Sequence, residues 1–161
     1  MRLMVLLALG LLFRGIKAEA QFKQPFRELE VSQWSDGSVD EAIQAMTLKQ
    51  KIGQLMMIPV FAQADTADEQ VLQMLREEEV GGLIWMKGRS EHLRKLLPIY
   101  QKAAAMPLWS SMDAEWGAAM RMEDCLRFPY ASTLGACGDT MLVEAIAKAM
   151  GLELKSMGMQ I

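Results

Sequence analysis

Three side chains able to handle a polar small molecule fall close together: Asp113, Glu115 and Arg121, with Trp116 between them. They follow Pro107-Leu108-Trp109-Ser110-Ser111-Met112, a short apolar run that ends in an acid. Such a run reads as a buried strand that delivers polar groups to a pocket at its C-terminal end. A carboxylate there can accept two hydroxyl hydrogen bonds from one sugar ring, which favours polyol recognition. Trp116 can cover the apolar face of a sugar. Arg121 lies eight positions past Asp113, within reach if the chain loops back. Its guanidinium can donate to hydroxyls or hold the carboxylate in place. Plainer uses stay open: Asp113 capping a turn, Trp116 filling core, Arg121 as a surface charge.

Composition narrows the chemistry. The chain has 161 residues, 52% hydrophobic and 23% charged, which suits one domain with a real core and argues against disorder. Its net charge of −3 and the lack of a basic block give a nucleic-acid partner no electrostatic support. The 15 methionines are scattered, as core fillers are, rather than clustered as copper ligands. A single histidine, His92, leaves little from which to build a metal site or a triad. On its helix, beside Leu93 and Leu96, it reads as a surface or helix-face residue. Cys125 and Cys137 fit no zinc spacing. They read as a disulfide or as two buried free thiols. No metal and no cofactor is expected.

The chain opens with Arg2, an apolar run from Leu3 to Phe13, and Ala18-Glu19-Ala20. This is the pattern of a secretory signal peptide over residues 1–20, with a mature start at Gln21 and a secreted or periplasmic destination. The run falls short of the ~20 apolar residues that span a bilayer, and no cysteine near the cut offers a lipid anchor, so no stable membrane anchor is expected. Residues 21–45 read as an arm followed by a short helix from Asp40 to Met46, with Ser38 and Glu41 as a capping box.

From residue 47 strands and helices alternate. Thr47 caps a helix whose Leu48, Ile52 and Leu55 share one face. Met56 to Phe61 is a strand, and Asp65 to Glu79 a helix with Val71, Leu72 and Leu75 inward. Gly81-Gly82 breaks that helix, and Leu83 to Met86 is the second strand. Ser90 caps a helix from Glu91 to about Ala105. Leu108 to Met112 is the third strand. After an irregular connection, Asp139 to Met157 is a long helix, and Met159-Gln160-Ile161 opens a fourth strand. Strands apolar along their whole length are buried on both faces, which implies a parallel sheet with helical crossovers. An open doubly wound sheet and an eight-stranded barrel both fit this order. No Gly-x-Gly-x-x-Gly follows the first strand, which disfavours a dinucleotide site. A barrel carries its functional groups at strand C-terminal ends, where Asp113 stands, and takes ~250 residues. The expected fold is therefore α/β, the N-terminal part of a (β/α)8 TIM-type barrel, incomplete, with about three strands and the start of a fourth over residues 46–161.

Four stretches carry a family resemblance. Met46-Thr47-Leu48-Lys49-Gln50-Lys51-Ile52-Gly53-Gln54-Leu55 resembles the motif that opens glycoside hydrolase family 3 catalytic domains. Gly81-Gly82-Leu83-Ile84 is similar to that family's second-strand motif. Met112-Asp113-Ala114-Glu115-Trp116-Gly117 with Arg121 resembles its substrate-binding segment, in the form of bacterial β-N-acetylglucosaminidases. Phe128-Pro129 and Thr133-Leu134-Gly135-Ala136 resemble the stretch that follows. The resemblance implies a secreted retaining glycosidase that removes terminal β-linked N-acetylglucosamine, with Asp113 and Arg121 in the innermost sugar subsite. It places the nucleophile and the acid/base beyond residue 161, so these residues alone are expected to be inactive without the missing C-terminal part of the barrel. A β-glucosidase or β-xylosidase of the same family, and a non-catalytic sugar-binding half-barrel, are the rival readings.

Overall fold

The computed structural model describes residues 36–161. The expected signal peptide, and the arm up to residue 35, lie outside the described residues. The described chain forms α1 (Asp36–Ala45), α2 (Leu48–Gln54), β1 (Met57–Ala62), α3 (Glu69–Glu77), β2 (Gly82–Gly88), α4 (Ser90–Ala103), β3 (Trp109–Ser111), a 3-10 turn (Ala118–Met120), α5 (Ala131–Ala136) and α6 (Thr140–Ser156). The first helix starts at Asp36, earlier than expected, so Ser38 lies within α1 rather than ahead of it.

β1, β2 and β3 lie side by side in sequence order, all parallel. The Trp109 N–H donates to Gly81 O on the β2 side, at 2.9 Å. The opposite edge of β3 is taken by the last residues: Gln160 N donates to Ser110 O at 2.8 Å and Met112 N to Ile161 O at 3.1 Å. Each new segment thus adds beyond its predecessor. A doubly wound sheet reverses direction at a switch point near its first strand; this sheet does not, and the progression is that of a (β/α)8 barrel. The residues 159–161 run along β3 without forming an assigned strand.

The core lies between the sheet and its helices. Ile58, Val60 and Ala62 of β1, with Leu83 and Trp85 of β2, face Val71, Leu72 and Leu75 of α3 and Leu93, Leu96, Leu97 and Tyr100 of α4, all buried. Periodicity accounts for this: the inward residues recur at helical spacing in α3 and α4 and at every second position in β1. The Trp85 indole N–H donates to Ser110 Oγ at 3.0 Å, and its ring meets Tyr100 with centroids 6.2 Å apart. The Tyr100 hydroxyl accepts from Asp68 N at 3.0 Å, so the core's two polar aromatics are both satisfied. Gln101 clamps the entry to β3, its amide donating to Leu108 O and accepting from Leu108 N.

Three expectations need correction. Burial on both strand faces fails along β1 and at the start of β3: Met57, Pro59 and Phe61 face away from the helices and are exposed, and Trp109 is 53% exposed, although Ser111 is buried. In barrel order this is the inner face, which a closed ring of strands would cover. The Leu48, Ile52 and Leu55 stripe of α2 is also uncovered, at 74%, 53% and 86%. Thr47 does cap α2, in a full capping box with Gln50. The irregular connection after β3 contains α5, which no apolar face announces.

Candidate functional site

The strand C-terminal ends form one rim, and backbone bonds tie that rim together. Arg89 N donates to Ala62 O, joining the exits of β1 and β2. Gly88 N donates to Arg121 O at 3.1 Å, and Glu123 N returns to Gly88 O at 2.9 Å. The loop after β3 is thereby stitched over the end of β2. Gly88 sits at φ 145°, and a Cβ there would collide with the backbone of Ala62, so this crossing needs glycine.

Within that loop the chain turns back at once. Gly117 N donates to Ala114 O at 3.0 Å, at a φ of 89°. A Cβ on Gly117 would stand 2.6 Å from the Phe128 ring, so the ring packs directly on the turn. The return brings Arg121 onto Asp113. The guanidinium Nη2 donates to Asp113 Oδ2 at 2.6 Å, and Nε donates to Asp113 O at 3.1 Å. One planar fork therefore fixes both the carboxylate and the main chain that carries it. The Arg121 side chain is 21% exposed and that of Asp113 46% exposed. The carboxylate is held yet open to solvent, and its remaining lone pairs can accept hydroxyl hydrogens.

These observations bear on the family. A family model described as the Glycosyl hydrolase family 3 N terminal domain matches residues 47–161. The chain belongs to that family. A glycoside hydrolase family 3 β-N-acetylglucosaminidase from Paenibacillus sp. str. FPU-7 aligns at 33% identity with a TM-score of 0.62, covering 71% of this chain and 23% of that one. A β-N-acetylhexosaminidase from Beutenbergia cavernae DSM 12333 aligns at 24% identity and a TM-score of 0.58, covering 71% of this chain and 36% of that one. A fungal multi-domain glycoside hydrolase family 3 β-N-acetylglucosaminidase aligns at 24% identity and a TM-score of 0.60, covering 70% of this chain and 14% of that one. At 24% the last two show the fold alone. No match is found among curated proteins. The chain thus spans well under two thirds of each of these structures.

Of the residues singled out in the sequence, the structure of this family 3 domain joins Asp113 and Arg121. Trp116 is half-buried and meets Tyr130 edge-on, with ring centroids 4.9 Å apart. Glu115 is exposed, and its backbone bridges to Gly117 within the turn. His92 lies on α4 as expected, its Nδ1 3.1 Å from Ala62 O. Cys125 is a half-buried free thiol and Cys137 an exposed one, so neither the disulfide nor two buried thiols describes them. Burial, with Glu153 and Asp124 nearby, pushes the Cys125 thiol up to about 11. No group of three or more potential metal ligands exists among the described residues.

Two residues of this rim were not singled out in the sequence. Asp124 accepts from Ser90 N at 2.6 Å and from Ser90 Oγ at 3.0 Å. Burial pushes its carboxyl up, but these donors outweigh that and hold it below the usual range. Tyr130 stands against Trp116. Neither follows a local pattern that points to the partner. A groove of 370 Å³, lined by Leu48, Ile52, Met56 and Val80 among others, lies at the opposite end of the sheet, where β1 and β2 begin.

Proposed function

We propose that this domain supplies the innermost sugar-binding residues of an exported retaining glycosidase that removes terminal β-linked N-acetylglucosamine. The observation that carries the reading is the Asp113–Arg121 pair at the C-terminal rim of β3, where barrel enzymes hold substrate. Asp113 accepts sugar hydroxyls, and Arg121 keeps its carboxylate aimed at them. Trp116 lines the apolar side of the ring, and Glu115 is the further acceptor at the rim. The name of the Paenibacillus relative supports the N-acetyl sugar.

Retention requires a nucleophile and an acid/base ~5 Å apart on either side of the glycosidic bond. Asp113, neutralised by its guanidinium, acts as a binding group and not as the nucleophile. Both catalytic groups then come from strands other than the three described, and residues 36–161 alone do not turn over substrate. The opening residues 1–20 fit export to the periplasm or beyond.

The test is a chimera in which residues 47–161 replace the aligned segment of the Paenibacillus enzyme. It should release p-nitrophenol from the β-N-acetylglucosaminide, and Asp113→Ala should lower kcat/KM by about a hundredfold, as losing charge-assisted bonds to substrate does. A soluble chimera that prefers the β-glucoside, or that ignores Asp113→Ala, would refute the proposal.

A further inference from the structure

We infer that Asp124 is a positioning residue for the sugar-gripping pair: it latches the loop that carries Arg121 onto the first turn of α4. This inference rests on the reading of Asp113 and Arg121 as substrate-binding groups.

The first turn of α4 needs an outside acceptor. The first N–H groups of a helix have no partner within it. The residue before α4 is Arg89, whose side chain offers no cap. Arg89 instead donates Nε to Glu91 Oε1 at 2.7 Å. Asp124, far along the chain, fills the role. Its Oδ1 takes Ser90 N at 2.6 Å; its Oδ2 takes Ser90 Oγ at 3.0 Å and Glu91 N at 3.4 Å.

The cap is borne by a particular loop. Three residues before Asp124 stands Arg121, and between them Glu123 N bonds to Gly88 O. The segment 121–124 is therefore held at two points, by backbone at Gly88 and by the Asp124 side chain at Ser90. Arg121 leaves this segment and reaches Asp113 with two donors. Its own anchor on β2 is a single bond, Gly88 N to Arg121 O at 3.1 Å. Releasing Asp124 leaves that short backbone ladder and the packing of the buried Met122 between the loop and the β2–α4 corner, with no side-chain charge holding the segment beside Arg121 to α4. The helix needs an acceptor for stability, but any local Ser or Asp at residue 89 would supply one. Taking it from the Arg121 loop couples the helix to the grip on Asp113.

The experiment uses the 161-residue chain and the NMR signal of the Arg121 Nε–H, which exchanges slowly only while bonded to Asp113 O. Asp124→Ala should speed that exchange about fivefold, the scale of a lost cap, and weaken N-acetylglucosamine binding by a similar factor. Asp124→Asn keeps the Oδ1 acceptor and should restore both to within about twofold. Amide exchange along the β1–β2 ladder should stay as in the wild type, which separates positioning from general loosening. If Asp124→Ala does not fold, Ser90→Ala removes one of the three bonds and should speed the Arg121 exchange about twofold. Unchanged Arg121 exchange in whichever of these variants folds would overturn the latch. Faster exchange in a chain that binds no sugar even as wild type supports the latch, and the chimera assay then decides the sugar-binding reading.

Discussion

Gln160 and Ser110 bond to each other twice: Gln160 N donates to Ser110 O at 2.8 Å, and the Gln160 side chain accepts from Ser110 N at 2.9 Å. A side chain here does the work of a strand partner. Ser110 itself is fully buried and holds the Trp85 indole. The first backbone group on the far edge of β3 is thus satisfied although no full strand lies against it.

Gln160→Ala should therefore destabilise more than a surface substitution does. It leaves the Ser110 N–H without its acceptor in a part-buried setting, at a cost of about 1–3 kcal/mol. Gln160→Glu keeps an acceptor and should cost less than half as much. Urea midpoints of the two variants decide it; equal midpoints for wild type and Gln160→Ala would remove Ser110 N from the stability of this edge.

Arg121→Lys tests the shape of the grip. Lysine keeps the charge but is a point donor, unable to reach Asp113 Oδ2 and Asp113 O together as the fork does at 2.6 and 3.1 Å. In the active chimera its KM should rise about tenfold, roughly 1.4 kcal/mol of binding, with kcat changed less. A KM equal to that of the parent would show that charge alone suffices.

Much of this arrangement is legible in the sequence. The strands announced themselves as short apolar runs between helices with inward faces at i, i+3 and i+4, and Asp139 and Thr47 marked two helix starts by their side chains. The spacing puts Arg121 within reach of Asp113 if the chain loops back, and leaves a surface charge equally open; the fork between them is seen only in the structure. Other features needed the third dimension. Asp124 caps a helix that begins 34 positions earlier, and no local window contains both partners. The stripe of Leu48, Ile52 and Leu55 has the period of a core face, but a period says nothing of what stands opposite it. The helix α5, built from Ala131-Ser132-Thr133-Leu134-Gly135-Ala136, has too few apolar residues to leave a signal.

The two thiols should differ sharply in reactivity. The thiolate is the nucleophile, and Cys125, pushed up to about 11, is only about one part in a thousand ionised at pH 8. Its burial slows a reagent further, and its Sγ lies 3.9 Å from Met157 Sδ. Cys137 is exposed. Brief iodoacetamide treatment at pH 8 should alkylate Cys137 and spare Cys125, as peptide mass spectrometry would show. Raising the pH toward 11 should bring Cys125 into reaction; equal labelling at pH 8 would contradict its burial.

The alternation along β1 allows a sharper test of the open inner face. Val60 points into the helix-covered core at 1% exposure, whereas its neighbour Phe61 points the other way at 53%. In this chain Val60→Asn removes ~1.5–3 kcal/mol of apolar burial and adds an unpaired amide worth ~1–3 kcal/mol, so the two together should cost about 3 kcal/mol or more. Phe61→Asn, by contrast, stays near ~1 kcal/mol or below, as exposed substitutions do. In the closed barrel of the chimera the inner face is packed by side chains from the other strands, and there Phe61→Asn should become as costly as Val60→Asn. Denaturant midpoints of both variants in both settings measure this directly. A Phe61→Asn penalty that is the same in the chain and in the chimera would mean that further strands leave this face as open as it is here, and the barrel order read from β1, β2 and β3 would not extend to closure.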